Sequence, residues 1–201
     1  MARSSVSVLA PGFLIASPPL GDPNFDRTVV LLALHGAQGA MGFVVNRTAP
    51  MGLAELLAMA GYPGVVGAEG PVFVGGPVHP SSGWVLDLTP PSESPVKEDG
   101  VIAIGDRIRI SSSRAAFDEL VKDAEGRGPG VQDPRRRMVL LGYSGWGEGQ
   151  LEGEIARGAW LPVPFDEGIL FDVPLSERWE RAYALLGLSP AGFIGRTVGE
   201  A

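Results

Sequence analysis

Cysteine is missing from the whole sequence, so neither disulfides nor thiolate metal ligands contribute to this fold. The redox compartment therefore has no reading in cysteine usage. Histidine is nearly as scarce: His35 and His79 are the two copies. No short ligand spacing links them to Asp22 or Asp26, as a metal site would require, so neither a metal nor a cofactor is expected. Basic charge is short as well. Sixteen Lys and Arg face 23 Asp and Glu, and the net charge of −7 disfavours a surface adapted to polyanions. No apolar run approaches the roughly 20 residues that span a bilayer. Val6 to Ala10 is broken by Ser7 and stopped by Pro11-Gly12 before it forms the core of a secretory signal. These absences predict a soluble, cytoplasmic protein with no membrane partner.

What is plentiful is punctuation. Twenty-nine glycines and 18 prolines call for many short elements joined by defined turns, within an ordinary globular balance of 45% hydrophobic and 19% charged residues. At 201 residues, one domain over 1–201 is expected. Short apolar or β-branched runs predict strands at Phe13 to Ala16, Thr28 to Leu34, Gly42 to Val45, Val72 to Val74, Trp84 to Leu88, Val101 to Ile104, Arg107 to Ile110 and Met138 to Gly142. The almost wholly apolar run from Val29 to Leu34 reads as a strand covered on both faces. Gly105-Asp106 fits a two-residue hairpin.

About four helices follow from apolar spacing. Leu53, Leu56, Leu57 and Ala60 mark the first, with Gly61 placed to cap it. Phe117, Leu120, Val121 and Ala124 mark the second, with Ser112 or Ser113 as N-cap. Leu151 and Ile155 mark a third, and Trp179, Ala182, Tyr183 and Leu186 a fourth with Ser176 as N-cap. Strands outnumber helices without alternating regularly, so the class is α+β. Residues 90–100 and 125–137 read as loops.

The segment Gly142-Tyr143-Ser144-Gly145-Trp146-Gly147-Glu148-Gly149-Gln150-Leu151-Glu152 stands out. It follows an apolar strand and precedes a helical pattern, which predicts a tight strand-to-helix corner with Tyr143 and Trp146 as anchors. Ser144 invites a nucleophile reading, but a nucleophile elbow needs Gly-x-Ser-x-Gly, and Trp146 stands at the second glycine position. Both histidines precede the serine, against the α/β-hydrolase order. A turn residue is the better reading, and no catalytic residue is assigned. A phosphate cradle fares little better, since Glu148 sits in the loop, no Lys follows, and neither glycine-rich phosphate pattern is matched. The corner set Gly142, Tyr143, Gly145, Trp146, Gly149, Gln150 and Glu152 is therefore read as structural.

A second polar set comprises Asp22-Pro23-Asn24-Phe25-Asp26-Arg27, Asn46-Arg47 and Gly75-Gly76-Pro77. Three turns at sheet ends would explain it. One groove built from three strand ends would also explain it, with Asn24, Arg27, Asn46, Arg47, Gly75 and Gly76 as ligand-binding candidates. Arg47 would be the foremost contact there, because a guanidinium is a rigid fork of donors. Arg135-Arg136-Arg137 is the one basic run, and a run of three reads as a solvated loop. No recognition helix, zinc finger or RNP-like aromatic strand is present.

Taken together, these stretches resemble the YqgE/AlgH family. The resemblance is carried by Gly12 to Ala16 through Asp22 to Val30, Gly39 to Arg47, Val72 to Val78, the Gly142–Glu152 corner, Trp160, Leu170-Phe171-Asp172 and Arg178-Trp179. Ordered matches run from about position 11 to 187. The resemblance implies a mixed, mostly antiparallel sheet partly closed into a barrel and flanked by helices. It implies no catalytic residue. The AlgH name comes from a proposed role in transcriptional regulation, and position 144 is commonly Ala in the family.

The expectation is a bacterial, non-enzymatic binding or regulatory module with an unknown protein or small-molecule partner. The alternative is a small-molecule enzyme, or an anion- or nucleotide-binding protein, using the groove near Asn24, Asn46 and Arg47. Direct DNA recognition needs a basic face that displaces counterions, so any effect on transcription is expected to be indirect. Gel-shift titrations against genomic fragments at physiological salt should give no sequence-selective complex near or below about 10⁻⁸ M. Such a complex would make the protein a direct regulator.

Overall fold

The computed structural model describes residues 9–88, 101–104, 107–127 and 136–188. The chain divides into two compact units. The first takes residues 1–47, 76–78 and 144–201, and the second takes 48–75 and 79–143.

The first unit is built on strands β1 (Gly12–Ala16), β2 (Val29–Gly36) and β3 (Gly39–Val44), with β10 (Trp160–Pro164) and the last residues of β9 (Arg137–Trp146). All pairs here are antiparallel: β1 lies between β10 and β2, with Leu14 opposite both Pro162 and Val30, and Gly42 of β3 faces Ser144 of β9. Every residue of β1 is buried, and so is β2 from Val29 to Ala33. Alternation divides these side chains between two faces. Leu14, Ala16, Val30, Leu32 and Val44 pack with Trp146, Trp160 and Leu151 of α3 (Gln150–Ala156). On the opposite face, Phe13 stacks on Phe165 with ring centroids 5.6 Å apart. Helices α4 (Glu167–Phe171) and α5 (Arg178–Leu185) supply buried Ile169, Leu170, Trp179, Ala182 and Tyr183. The all-apolar run is thus a strand covered twice, as far as Ala33; Leu34 is exposed.

The second unit holds β4 (Thr48–Gly52), α1 (Leu53–Met59), β5 (Pro71–Val74), most of β6 (Val78–Leu88), β7 (Val101–Ile104), β8 (Ile108–Ser111), α2 (Arg114–Arg127) and the first part of β9. Strands β6, β8 and β7 pair antiparallel, while β5 runs parallel to β9, with Val72 beside Val139 and Phe73 beside Leu140. Leu53, Leu56 and Leu57 of α1 and Leu120 and Ala124 of α2 bury against Val72, Val85 and Val139. Apolar spacing thus places both helices against the strands of this unit.

The protein is α+β, with a mostly antiparallel sheet. Two strands, β4 and β10, were not foreseen: Ala49-Pro50 and Pro162 to Pro164 hide them, since proline reads as a strand breaker away from edges. Five α-helices form where about four were expected, the addition being the five-residue α4, whose N-cap Asp166 accepts from Gly168 N at 2.9 Å. Ser113 caps α2 by accepting from Ala116 N at 3.3 Å. At α5 the N-cap is Glu177, not Ser176, and its side chain makes no capping bond. Strand β8 begins at Ile108, so Arg107 belongs to the turn, and Gly105-Asp106 lie outside the described residues. Residues 90–100 lie outside them too; of the 125–137 loop, 125–127 close α2 and Arg137 opens β9.

The β2–β3 hairpin turns through Ala37-Gln38, with Gly36 opposite Gly39. Gly39 has φ +118°, and a Cβ there would lie 2.2 Å from the Trp146 carbonyl oxygen. Gly39→Ala therefore combines a disfavoured conformation with a backbone clash. It should cost about 1–3 kcal/mol or more, read as a lower Tm, while Gly36→Ala, which meets nothing within 4 Å, should be tolerated far better.

Candidate functional site

The turn from Asp22 to Thr28 is organised first by its own backbone. Asp22 Oδ1 accepts from Asn24 N at 2.8 Å, and Thr28 Oγ1 donates to the Phe25 carbonyl at 2.8 Å. Asn46, just past β3, then bridges outward: its Oδ1 accepts from Val29 N at 2.9 Å, and its Nδ2 donates to the Arg27 carbonyl at 2.8 Å. Arg47 closes the cluster. Nη1 donates to the carbonyls of Pro23 and Asn24 at 3.1 and 2.8 Å, and Nη2 donates to that of Asp26 at 2.6 Å. Arg27 has φ +52°, and its guanidinium lies over the Trp179 ring at 5.2 Å.

The structure therefore brings Asn24, Arg27, Asn46 and Arg47 together. The guanidinium fork of Arg47 is turned onto main-chain carbonyls, and Asn24 contributes its backbone. Gly76, in the same unit, is buried with φ +154°. Gly75 belongs to the other unit, where a Cβ would meet the Gly142 carbonyl oxygen at 2.4 Å.

The glycine corner has a different shape from the expected one. Strand β9 continues through Trp146, so Ser144 is a fully buried strand residue opposite Gly42, not a turn residue. Gly142 sits in that strand at φ +68°. The chain turns at Gly147 to Gly149, and Gly149, at φ +69°, is the N-cap of α3. Gly145 is not in the positive-φ region. Tyr143 belongs to the second unit, tilted against His79 at 5.9 Å and edge-on to Trp84 at 6.1 Å.

One residue outside the predicted set organises the rest. Glu154 Oε2 accepts the indole N–H groups of Trp146 and Trp160 at 2.9 and 2.8 Å, and its Oε1 accepts from Gln150 Nε2 at 2.9 Å. Gln150 Oε1 in turn accepts from Gly147 N at 3.0 Å. The two indoles meet edge to face at 5.8 Å, and Phe25 packs edge-on to Trp160 at 5.2 Å. Glu152 reaches the His35 Nε2 at 3.0 Å, while His35 Nδ1 accepts from Leu9 N at 3.3 Å. Its own backbone N–H, then the His35 hydrogen bond and charge, hold the Glu152 carboxyl below the usual range despite some desolvation. Arg178 donates to the carbonyls of Val45, Leu170 and Val173. Burial lowers its pKa to about 10.

The second unit holds a cavity of about 180 Å³ that the sequence reading did not single out. Asp87 of β6 lies opposite Arg109 of β8, and its Oδ2 accepts from Arg109 Nη2 at 3.2 Å. Its Oδ1 faces Arg137 Nε at 3.4 Å, and Arg137 Nη2 also pairs with Asp123 of α2. The third arginine of the basic run is thus buried, with its side chain 5% exposed, and is not a solvated loop residue. Among the described residues, Ser111, Ser113 and Glu119 also line the cavity. The available signal was a charge inside each apolar strand: Asp87 between Leu86 and Leu88, and Arg109 between Ile108 and Ile110. A shallower recess of about 390 Å³ follows the β2–β3 hairpin from Leu34 to Met41, and its one titratable group, His35, is already engaged. Among the described residues, no group of three His, Asp or Glu is arranged to hold a metal. No helix among them is long and apolar enough to cross a membrane.

The architecture is that of an α+β protein with a catalogue of uncharacterised relatives. Residues 13–191 match the family described as AlgH-like, and the chain belongs to it. A UPF0301 protein of Anaeromyxobacter dehalogenans is 42% identical over 200 residues, covering 96% of both chains. A UPF0301 protein of Methylococcus capsulatus is 38% identical, covering 92% of this chain and 93% of its own. The solution structure of AlgH from Pseudomonas aeruginosa matches with a TM-score of 0.71 at 36% identity, over 100% of both chains. A crystal structure of a Corynebacterium diphtheriae protein, at a TM-score of 0.63 and 20% identity, shares the fold.

Glu154→Leu should strand two buried indole donors, at about 1–3 kcal/mol each. Glu154→Gln keeps an acceptor and should cost less. Chemical denaturation of both variants checks the order. Equal, near-zero losses would mean that the corner is held by packing alone.

Proposed function

We propose that this protein is a non-enzymatic binding module whose small-molecule seat is the polar cavity between β6, β8 and the start of α2. The observation that carries this reading is the set of donors that the cavity gathers: among the described residues, Arg109 and Arg137 line it together with Ser111 and Ser113. A recess walled by guanidinium groups and hydroxyls offers a small polar ligand several hydrogen bonds at once. Asp87, engaged on both oxygens by Arg109 and Arg137, is a fixture that aims the guanidinium groups. That suits holding a ligand more than moving a proton.

The alternative groove near Asn24, Asn46 and Arg47 has less to offer a ligand, because the Arg47 fork and both ends of the Asn46 amide already serve the backbone. Any effect of this protein on transcription would follow from occupancy of the cavity, passed on to a partner protein.

Thermal-shift screening of the whole chain against a library of small polar metabolites tests the reading. A compound present at about 100 times its Kd should stabilise by about 2.7 kcal/mol, raising Tm by several degrees. The shift should vanish in Arg109→Met and persist in Arg47→Met. A shift lost only in Arg47→Met would move the binding site to the turn at residues 22–28.

A further inference from the structure

His35 is held at both ring nitrogens, and the two contacts respond oppositely to a proton. The imidazole sits near the end of β2 with its side chain 1% exposed. Nδ1 accepts from Leu9 N at 3.3 Å, and Nε2 stands 3.0 Å from Glu152 Oε1. A backbone N–H can only donate, so Nδ1 is bare; the ring hydrogen is on Nε2 and is donated to the Glu152 carboxylate. A second proton has one place to go, Nδ1, where it would face the Leu9 N–H donor to donor. The Glu152 contact would survive as an ion pair while the Leu9 bond is lost. We propose that His35 is a proton-operated latch on the segment ahead of β1, holding Leu9 while neutral and releasing it when charged.

The surroundings leave the ring as the group that responds. Among the described residues, Glu152 is the charged partner that α3 brings to it. Glu154 on the same helix is turned to the two indoles, and the Arg157 guanidinium lies beside Gly153. From β3, Ala40 stands opposite His35, and its neighbours Gly39 and Met41 carry no charge. Leu9, Ala10 and Pro11 bring none either. Histidine changes charge between about pH 5 and 8. Glu152 stays ionised through that range, because its own backbone N–H, and then His35, hold its carboxyl below the usual range despite some desolvation. The latch needs the neutral ring, so it is closed above the ring's titration and lost as pH falls through it. What it holds matters to the core. Leu9 and Ala10 pack against the cluster of Leu14, Trp146, Leu151 and Trp160. Release therefore uncovers apolar surface in mild acid, while the ladders joining β1, β2 and β3 stay in place.

The test is NMR spectroscopy of the full chain from about pH 8 to about pH 5. It follows the His35 ring protons, the Leu9 amide shift, and the exchange of that amide with water. Exchange is taken relative to the Leu14 amide inside β1, which cancels its intrinsic dependence on pH. The Leu9 amide should move with the same midpoint as the His35 ring and lose about tenfold of its relative protection, the equivalent of one hydrogen bond. Glu152→Gln keeps an acceptor but removes the charge that favours the imidazolium, so both signals should move together to lower pH. His35→Phe fills the site without an acceptor and should leave Leu9 weakly protected at every pH, with the β1 signals native. A Leu9 amide still protected after the ring has titrated would overturn the latch, as would different midpoints for the two signals. So would a ring that stays neutral down to about pH 5. Full Leu9 protection in His35→Phe would mean that packing alone holds the segment, and would overturn it too.

Discussion

Three N–H donors converging on the Glu154 carboxylate are the constraint on which the first unit depends. The two indoles come from different strands, Trp146 at the end of β9 and Trp160 at the start of β10, and the helix between them in sequence supplies both Glu154 and Gln150. A carboxylate among aromatic rings would be costly if its lone pairs went unmet. Here each oxygen receives a donor, so polarity at the edge of the core fixes the angle of α3 against the strands. The glycines at 147 and 149 serve this arrangement: the first offers its N–H to Gln150, and the second starts the helix from a left-handed conformation.

The same economy appears at the other turns. Arg47 and Arg178 each spread one guanidinium over three backbone carbonyls. These are positions where the chain leaves regular structure and its carbonyls lack ladder partners. Arginine suits the task because its donors are rigidly placed and its charge survives burial. Residues with the look of a binding site can thus be spent on holding a loop, and here the look belongs to the turn while the cavity lies elsewhere.

Much of the fold was legible. The runs at Phe13, Val29, Val72 and Val139 are strands because β-branched and aromatic residues fill a covered sheet, and the Leu53–Leu57 and Leu120–Ala124 spacings bury one face of a helix as expected. What escaped has a local cause. Proline-bearing β4 and β10 read as breaks, and Gly142, Ser144 and Gly145 read as a turn although pairing with β3 keeps the strand going to Trp146. The site was less legible than the fold. Asn46 and Arg47 attract notice because polar residues follow a strand, yet pairing across sequence decides their use. Asp87 and Arg109 became partners only once β6 and β8 were in register, 22 residues apart in sequence. Glu154 had no distinguishing neighbour at all, since its donors are set by the fold.

The register of β1 carries a consequence for synthesis. Gly12 pairs with Pro164, and the intervening chain includes the whole of the second unit. On a ribosome adding about 5–20 residues per second, β1 waits on the order of ten seconds for its second neighbour. Through that interval the nascent chain carries the fully apolar edge Phe13-Leu14-Ile15-Ala16 with one side of its ladder open, the kind of edge that recruits a stray strand. The second unit, complete by Tyr143, has all its strands available well before the first is closed. Keeping that edge from other strands during the interval is therefore a demand on the nascent chain separate from the stability of the native state.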